Sequence, residues 1–147
     1  MSTLPEETAD ALQRALAAEH AAIWAYGLVS AFLPAAFDAA LGKGSEAHTT
    51  RRDSVAAMLK NAGVTPKSAE PGYSTPQPLT NQPSAFVLLV AAETDDAAAW
   101  RSVLEHTSDS GLRKTALDAL TDSAMRAMSW RQAAGQTPST PPLPGQS

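Results

Sequence analysis

Apolar and polar residues alternate along most of this chain at intervals of three and four positions, which is the pattern of a helix that buries one face. The eleven prolines interrupt the pattern, and helices are predicted between them because proline is poorly tolerated inside a helix. Asp109 or Ser110 is expected to cap the last helix, and Gly42 and Gly44 are expected to loosen or kink the second. The four predicted helices cover, to within a few residues, positions 6–33, 35–62, 84–107 and 110–134.

The links between these helices alternate in length. The links around Pro34 and around residue 109 are short, whereas residues 63–83 form a long irregular stretch. Short links make antiparallel hairpins, and a stretch of about twenty irregular residues can cross the length of a bundle. Residues 1–135 are therefore predicted to form an all-α four-helix bundle of two antiparallel hairpins joined by a long crossover. The Pro-rich residues 136–147 are predicted to be a flexible tail.

The composition favours helices and argues against several kinds of function. Alanine is abundant and β-branched residues are few, which favours closely packed helices over strands. The absence of cysteine excludes disulfides and thiolate metal sites. With a net charge of −4 and no cluster of Lys and Arg, no nucleic-acid partner is expected. The acidic start lacks the basic region of a signal peptide, and polar residues and a proline interrupt the apolar run 21–37, so no membrane association and a cytoplasmic location are expected.

Glu19 and Glu93 interrupt the apolar faces of the first and third predicted helices. Each glutamate follows two alanines, and each is followed seven residues later by an aromatic residue, Tyr26 or Trp100. Burying a lone charge is costly unless the charge is paired or bound to a metal. These positions therefore predict a polar site inside the bundle.

The second helix of each hairpin supplies further polar residues at matching positions. His48 follows Glu19 at the same separation at which Asp122 follows Glu93, and an arginine stands four residues later in each case. The two hairpins are therefore interpreted as related halves. The predicted core polar network consists of Glu19, His48, Arg52, Glu93, Asp122 and Arg126.

Three segments of the chain carry a resemblance to a known family. They are the stretch from Ala18 to Gly27, the run Arg51-Arg52-Asp53, and the stretch from Ala98 to Arg101. They resemble an uncharacterised, alanine-rich, mainly actinobacterial family of the ferritin-like superfamily, over nearly the whole chain up to about residue 134. The resemblance implies a ferritin-like four-helix bundle and no established activity.

Ferritin-like bundles that hold two metal ions use a Glu on each of two helices and Glu-x-x-His on each of the other two. In this chain Ser45 stands three residues before His48, and Ala119 stands three residues before Asp122, so two carboxylates are missing. A guanidinium one turn away, such as that of Arg52, would repel a metal ion and pair with the glutamates instead. A carboxylate–arginine–histidine network is therefore predicted in place of a pair of metal ions.

Two hypotheses for the function stay open at this point. The first, which the missing carboxylates favour, is a non-catalytic binding or assembly protein with no cofactor and no catalytic residue. The second is a metal-dependent redox protein or ferroxidase. It would use one iron or manganese ion, and its candidate metal ligands are Glu19, His48, Glu93 and Asp122. The metal content of the purified protein distinguishes the two.

The first hairpin also carries more apolar residues than one core face can use. A contiguous apolar patch seldom stays exposed on a monomer, and pairing of identical patches is the commonest way to cover one. A homodimer is therefore predicted. The alternative is that the crossover, through Tyr73 and Leu79, covers the patch within one chain. The apolar patch consists of Trp24, Leu28, Val29, Phe32 and Phe37.

Overall fold

The computed structural model describes residues 4–136 and residue 145. This part of the chain contains four α-helices and no strand, which confirms the all-α prediction and the number of helices. Two short 3₁₀ turns, Ser30–Phe32 and Ala35–Phe37, lie on either side of Pro34. Apart from residues 136 and 145, the predicted flexible tail lies outside the described residues. The helices are α1 (Glu6–Val29), α2 (Asp38–Asn61), α3 (Gln82–Glu105) and α4 (Ser110–Ala133).

Local side chains define where the last two helices begin. The carboxylate of Asp109 accepts the N–H of Leu112 at 2.9 Å, so the expected cap of α4 is present. Asn81 and Ser84 form a reciprocal capping box at the start of α3. Pro83 therefore lies in the first turn of α3, where a helix has no use for the missing N–H. For this reason α3 begins slightly before the predicted residue 84.

Contacts between helices fix their directions. The Thr8 hydroxyl, in the first turn of α1, donates to the carbonyl of His106 at the end of α3 at 2.5 Å. α1 and α3 are therefore antiparallel, and each also packs against its hairpin partner, α2 or α4. This arrangement makes α2 and α3 parallel, so the connection between them has to run the length of the bundle.

The crossover runs along α1. The side chain of Gln13 accepts the N–H of Lys67 and donates to the carbonyl of Thr65, both at 2.8 Å. Further along α1, Tyr73 packs edge-on against Trp24 with 5.6 Å between the ring centroids. These contacts connect the crossover to successive turns of α1.

The apolar patch behind the homodimer prediction is largely covered within one chain. Trp24 packs against Tyr73 of the crossover, and Phe37 packs edge-on against Phe86 of α3 at 5.3 Å. Val29 is fully buried, while Leu28 keeps 38% of its surface exposed. The crossover therefore covers Trp24, as in the alternative, whereas α3 covers Phe37. The homodimer stays a prediction, which light scattering at micromolar concentration tests.

Most of the inner face of α4 consists of small residues. Between Leu112 and Trp130 the buried positions carry small side chains, whereas Leu117 and Met125 are 52% and 58% exposed. Small residues let α4 approach α3 closely, and this contact is the most extensive between helices in the described part of the chain. The small buried residues of α4 are Ala116, Ala119, Ser123 and Ala127.

By length and composition, the segment Glu6–Phe32 is apolar enough to cross a membrane. Core helices of globular bundles meet the same criterion. In this bundle α1 packs against α2 and α3, and Glu19 near its middle is fully buried. α1 is therefore a core helix of this bundle, with 39% of its most apolar stretch buried.

The core has two apolar clusters with polar side chains between them. One cluster surrounds Leu12, Leu59 and Val103 near the start of α1. The other surrounds Val29 and Phe86 near the end of α1. The fully buried polar side chains between the two clusters are Glu19, His48, Glu93, Asp96 and Ser123.

Candidate functional site

His48 is the centre of the buried site. Its Nδ1 lies 2.5 Å from Oε1 of Glu19, and its Nε2 lies 2.9 Å from Oε2 of Glu93. All three side chains are fully buried, and they come from α2, α1 and α3 respectively. The structure thus brings together these three residues of the predicted network.

Aromatic N–H and O–H groups complete the hydrogen bonding of both glutamates. The indole of Trp100 donates to Oε2 of Glu19 at 2.8 Å, and the hydroxyl of Tyr26 donates to Oε2 of Glu93. Each of these aromatic residues follows one glutamate in sequence and binds the other. The exchange follows from the antiparallel packing of α1 and α3. The residue two turns after the glutamate of one helix lies level with the glutamate of the other helix. The indole of Trp130 in turn donates to the Tyr26 hydroxyl at 3.0 Å.

Arg126 of α4 joins the network, as its position in the sequence indicated. Its Nε lies 3.2 Å from Oε2 of Glu93, and its Nη2 donates to the carboxylate of Asp122. The Asp122 side chain is 43% exposed and therefore lies at the rim of the network. Asp122 is not among the carboxylates that surround His48, which corrects its place among the candidate metal ligands.

Arg52 does not belong to the network, and this prediction is wrong. Its Nε pairs with the adjacent Asp53 at 2.9 Å, and the two side chains are 35% and 67% exposed. Arg51 takes the expected place, donating to Asp122 and, at 3.3 Å, to the hydroxyl of Ser123. Residues three and four positions after His48 lie on opposite sides of it around the helix. Only the side that carries Arg51 faces α4.

Asp96 was missed by the sequence analysis. It is fully buried in α3, where its Oδ2 accepts the hydroxyl of Ser123 at 2.7 Å. Its Oδ1 is also buried, and it has no hydrogen-bond partner in the described part of the chain. The available signal was its position three residues after Glu93, on the same helical face. The polar run from Thr94 to Asp96 obscured this signal, because such a run is typical of a solvent-facing turn.

The environment of His48 favours its protonated form. Burial by itself would lower the pKa of His48, but the hydrogen bonds and negative charges of Glu19 and Glu93 raise it to about 10. Burial would raise the pKa of Glu19, yet the hydrogen bond and charge of His48 hold it below its usual value. The pair is therefore an imidazolium bound to a carboxylate.

The pKa of Asp96 is shifted in the direction opposite to that of Glu19. Burial, followed by the negative charge of Glu19, raises the pKa of Asp96 well above its usual value. A protonated Asp96 is neutral and can share its proton with Glu19, whose pKa this hydrogen bond lowers further. At neutral pH the cationic side chains of the site then balance the anionic ones. The cations are His48, Arg51 and Arg126, and the anions are Glu19, Glu93 and Asp122.

A family model described as Domain of unknown function (DUF4439) matches residues 11–147. The chain belongs to this family. It is also similar to a conserved hypothetical protein, Rv2844, from Mycobacterium tuberculosis, whose crystal structure is known. The two are 39% identical, the match covers 94% of this chain and 97% of that chain, and the TM-score is 0.85. No curated protein matches the chain.

A pair of metal ions does not fit the site of this DUF4439 chain. The positions that supply the remaining carboxylates of such a pair carry Ser45 and Ala119, and the guanidinium of Arg126 lies against Glu93. A single ion has a better set of ligands, because one ligand atom each of Glu19, His48 and Asp96 lie within 4.8 Å of one another. His48 and Asp96 would have to lose their protons before they could bind it.

Proposed function

We propose that this DUF4439 chain is a non-catalytic binding or assembly protein with a ferritin-like bundle, in which the protonated ring of His48 stands in place of a metal ion. The observation that carries the proposal is the bonding of His48, whose two ring nitrogens pair with carboxylates from two other helices. The short, long and short links between the helices support the ferritin-like assignment.

The bonding of the two glutamates explains why the site needs no metal ion for its stability. Each of the four carboxylate oxygens of Glu19 and Glu93 accepts at least one hydrogen bond. His48 and Arg126 supply the positive charge that buried carboxylates require. Inward-facing glutamates without such partners would have to bind a cation or become protonated.

Metal analysis tests the proposal. Protein purified without chelators is incubated with Fe(II) or Mn(II), desalted and analysed for metal, and its melting temperature is measured with and without EDTA. We expect less than stoichiometric metal and no effect of EDTA on the melting temperature. A stoichiometric ion that survives desalting and raises the melting temperature would refute the proposal.

Nuclear magnetic resonance of His48 provides an independent test. Because the pKa of His48 is raised to about 10, both ring nitrogens should carry protons at neutral pH, with the ¹⁵N shifts of an imidazolium. His20, whose Nε2 lies 2.9 Å from the carbonyl of Lys67 at an exposed position, serves as the reference ring. A neutral His48 ring at neutral pH would contradict the proposal.

A metal-dependent redox protein or ferroxidase with a single iron or manganese ion is the second candidate. Asp96 favours it, because one of its carboxylate oxygens lies within 4.8 Å of ligand atoms of Glu19 and His48. Its Oδ1 is also buried without a hydrogen-bond partner in the described residues. If this candidate is correct, Asp96→Asn abolishes metal retention, whereas Asp122→Asn at the rim preserves it. Metal retention should also increase steeply with pH, since binding displaces the protons of His48 and Asp96.

A further inference from the structure

A cavity lies under the crossover, away from the buried network around His48. Its volume is about 240 Å³, and its walls come from α1, α3 and the crossover. Sites for drug-sized ligands measure roughly 300–1,000 Å³, so this one suits a small molecule. The lining residues used below are Trp24, Tyr73, Leu88, Ala91, Ala92 and Asp95.

The aromatic part of the cavity is held in place by the chain around it. Trp24 and Tyr73 meet edge to face at 5.6 Å, so their rings stand at a steep angle to each other. The Tyr73 hydroxyl accepts the backbone N–H of Glu70 at 2.9 Å, which fixes the ring within the crossover. Aromatic faces carry a negative electrostatic potential and attract organic cations.

Asp95 is the one charged residue among the cavity-lining residues that the structure describes. The positions three and four residues away from it on α3 are all alanine, so no lysine or arginine of its own helix can reach it. Asp95 is exposed, and within residues 4–136 its side chain has no hydrogen bond or ion pair.

We infer that this cavity binds a small organic ammonium cation, whose charge pairs with Asp95 and whose alkyl groups lie against Trp24 and Tyr73. The apolar walls from Leu88, Ala91 and Ala92 suit the alkyl part of such a ligand, and Ser74 and Thr75 line the cavity on the side of the crossover. This inference rests on the proposed binding function and names its class of ligand. The metal analysis above tests the buried network, whereas the titration below tests the cavity. Either proposal can therefore fail without the other.

Choline and its neutral isostere 3,3-dimethylbutan-1-ol provide the test, since they differ in charge and hardly in shape. Both are titrated into the full ¹⁵N-labelled chain, and the Trp24 indole signal and the Asp95 amide signal are followed. We expect saturable shifts with choline at a Kd on the order of 1 mM, and binding of the alcohol weaker by about tenfold. Equal affinity for the two molecules would overturn the inference, and so would the absence of saturable shifts with choline.

Matched variants locate the site. Asp95→Asn should weaken choline binding by about tenfold and remove the preference over the alcohol. Asp10→Asn removes the same charge from an exposed position of α1 outside the cavity and should leave the affinity unchanged. Tyr73→Leu should also weaken choline binding, because it removes the aromatic face of the cavity. Equal losses in Asp95→Asn and Asp10→Asn would indicate attraction by the net charge of the protein and would contradict a defined site.

Discussion

Gly44 of α2 lies directly against the ring of Tyr26 of α1. A Cβ atom at position 44 would be 2.6 Å from both Cζ and the hydroxyl oxygen of that ring. The ring cannot retreat freely, because its hydroxyl donates to the buried carboxylate of Glu93. α2 continues without a break from Asp38 to Asn61, so the glycines do not interrupt the helix. Gly44 is therefore a requirement of packing between α1 and α2.

The first prediction concerns this contact. Gly44→Ala should lower the free energy of unfolding by about 1–3 kcal/mol, since the added methyl group overpacks the Tyr26 ring. Gly42→Ala is the matched control in the same helix, because a Cβ there meets nothing within 4 Å. It should raise the free energy of unfolding by about 0.5–1 kcal/mol through helix propensity. Urea denaturation measures both changes, and stabilisation by both alanines would contradict the prediction.

The second prediction separates two adjacent arginines. Arg51→Ala should lower the free energy of unfolding by about 1.5–3 kcal/mol, because it removes charged hydrogen bonds to Asp122 and Ser123. Arg52→Ala should change it by no more than about 0.5 kcal/mol, since its exposed pair with Asp53 contributes little. Denaturation of the two variants under identical conditions is the measurement. If Arg52→Ala lost more stability than Arg51→Ala, Arg52 would belong to the network after all.

The third prediction is a decline in stability at alkaline pH. The pKa of His48 is raised from 6.5 to about 10, so the folded state holds a proton that the unfolded state releases. The resulting stabilisation is complete below pH 6.5 and is lost as the pH rises through 10. Within this window the free energy of unfolding should fall by about 1.4 kcal/mol per pH unit. Denaturation at a series of pH values measures the slope.

His48→Gln provides the control for that slope. Glutamine keeps hydrogen-bonding capacity but carries no charge that titrates in this range. The variant should be less stable than the wild type below pH 6.5, and its stability should depend less on pH up to 10. An identical slope in both proteins would assign the alkaline decline to groups other than His48.

The fourth prediction compares two aspartates of the site. The pKa of Asp96 is raised by burial and by Glu19, so its protonated carboxyl stabilises the fold less as the pH increases. Asp96→Asn keeps a neutral donor at this position and should gain stability relative to the wild type between mildly acidic and alkaline pH. For Asp122 the effect of burial is outweighed by Arg126 and Arg51, which lower the pKa.

Asp122→Asn is therefore expected to behave in the opposite way. It removes a carboxylate that is charged at neutral pH and paired with two arginines, so the variant should lose stability there. The loss should shrink as the pH falls through the pKa of Asp122, because the wild-type carboxylate is then protonated as well. Chemical denaturation of both variants at the same pH values measures the contrast. If both variants lost stability at neutral pH and the loss shrank for both as the pH fell, Asp96 would be ionised in the folded protein.

The four helices and the residues around His48 were determined by local features of the sequence. Prolines and capping side chains act within a few residues, so they place helix ends without reference to the rest of the fold. The spacing of three and four residues puts Glu19, His48 and Glu93 on core faces, because those faces are defined by their apolar neighbours in the same helix. Which glutamate Tyr26 and Trp100 each bind was decided by the antiparallel packing of α1 and α3 as well.

The tertiary structure alone decided between Arg51 and Arg52 and brought Asp96 into the site. Arg51 and Arg52 lie on opposite sides of His48 around the axis of α2, and only the rotation of α2 relative to α4 selects Arg51. α4 presents one stripe of large residues and one of small residues, and close packing against α3 buries the small ones together with Ser123, the partner of Asp96. A helix rotates about its axis without changing its own hydrogen bonds, so its sequence leaves this angle open until the neighbouring helices pack against it.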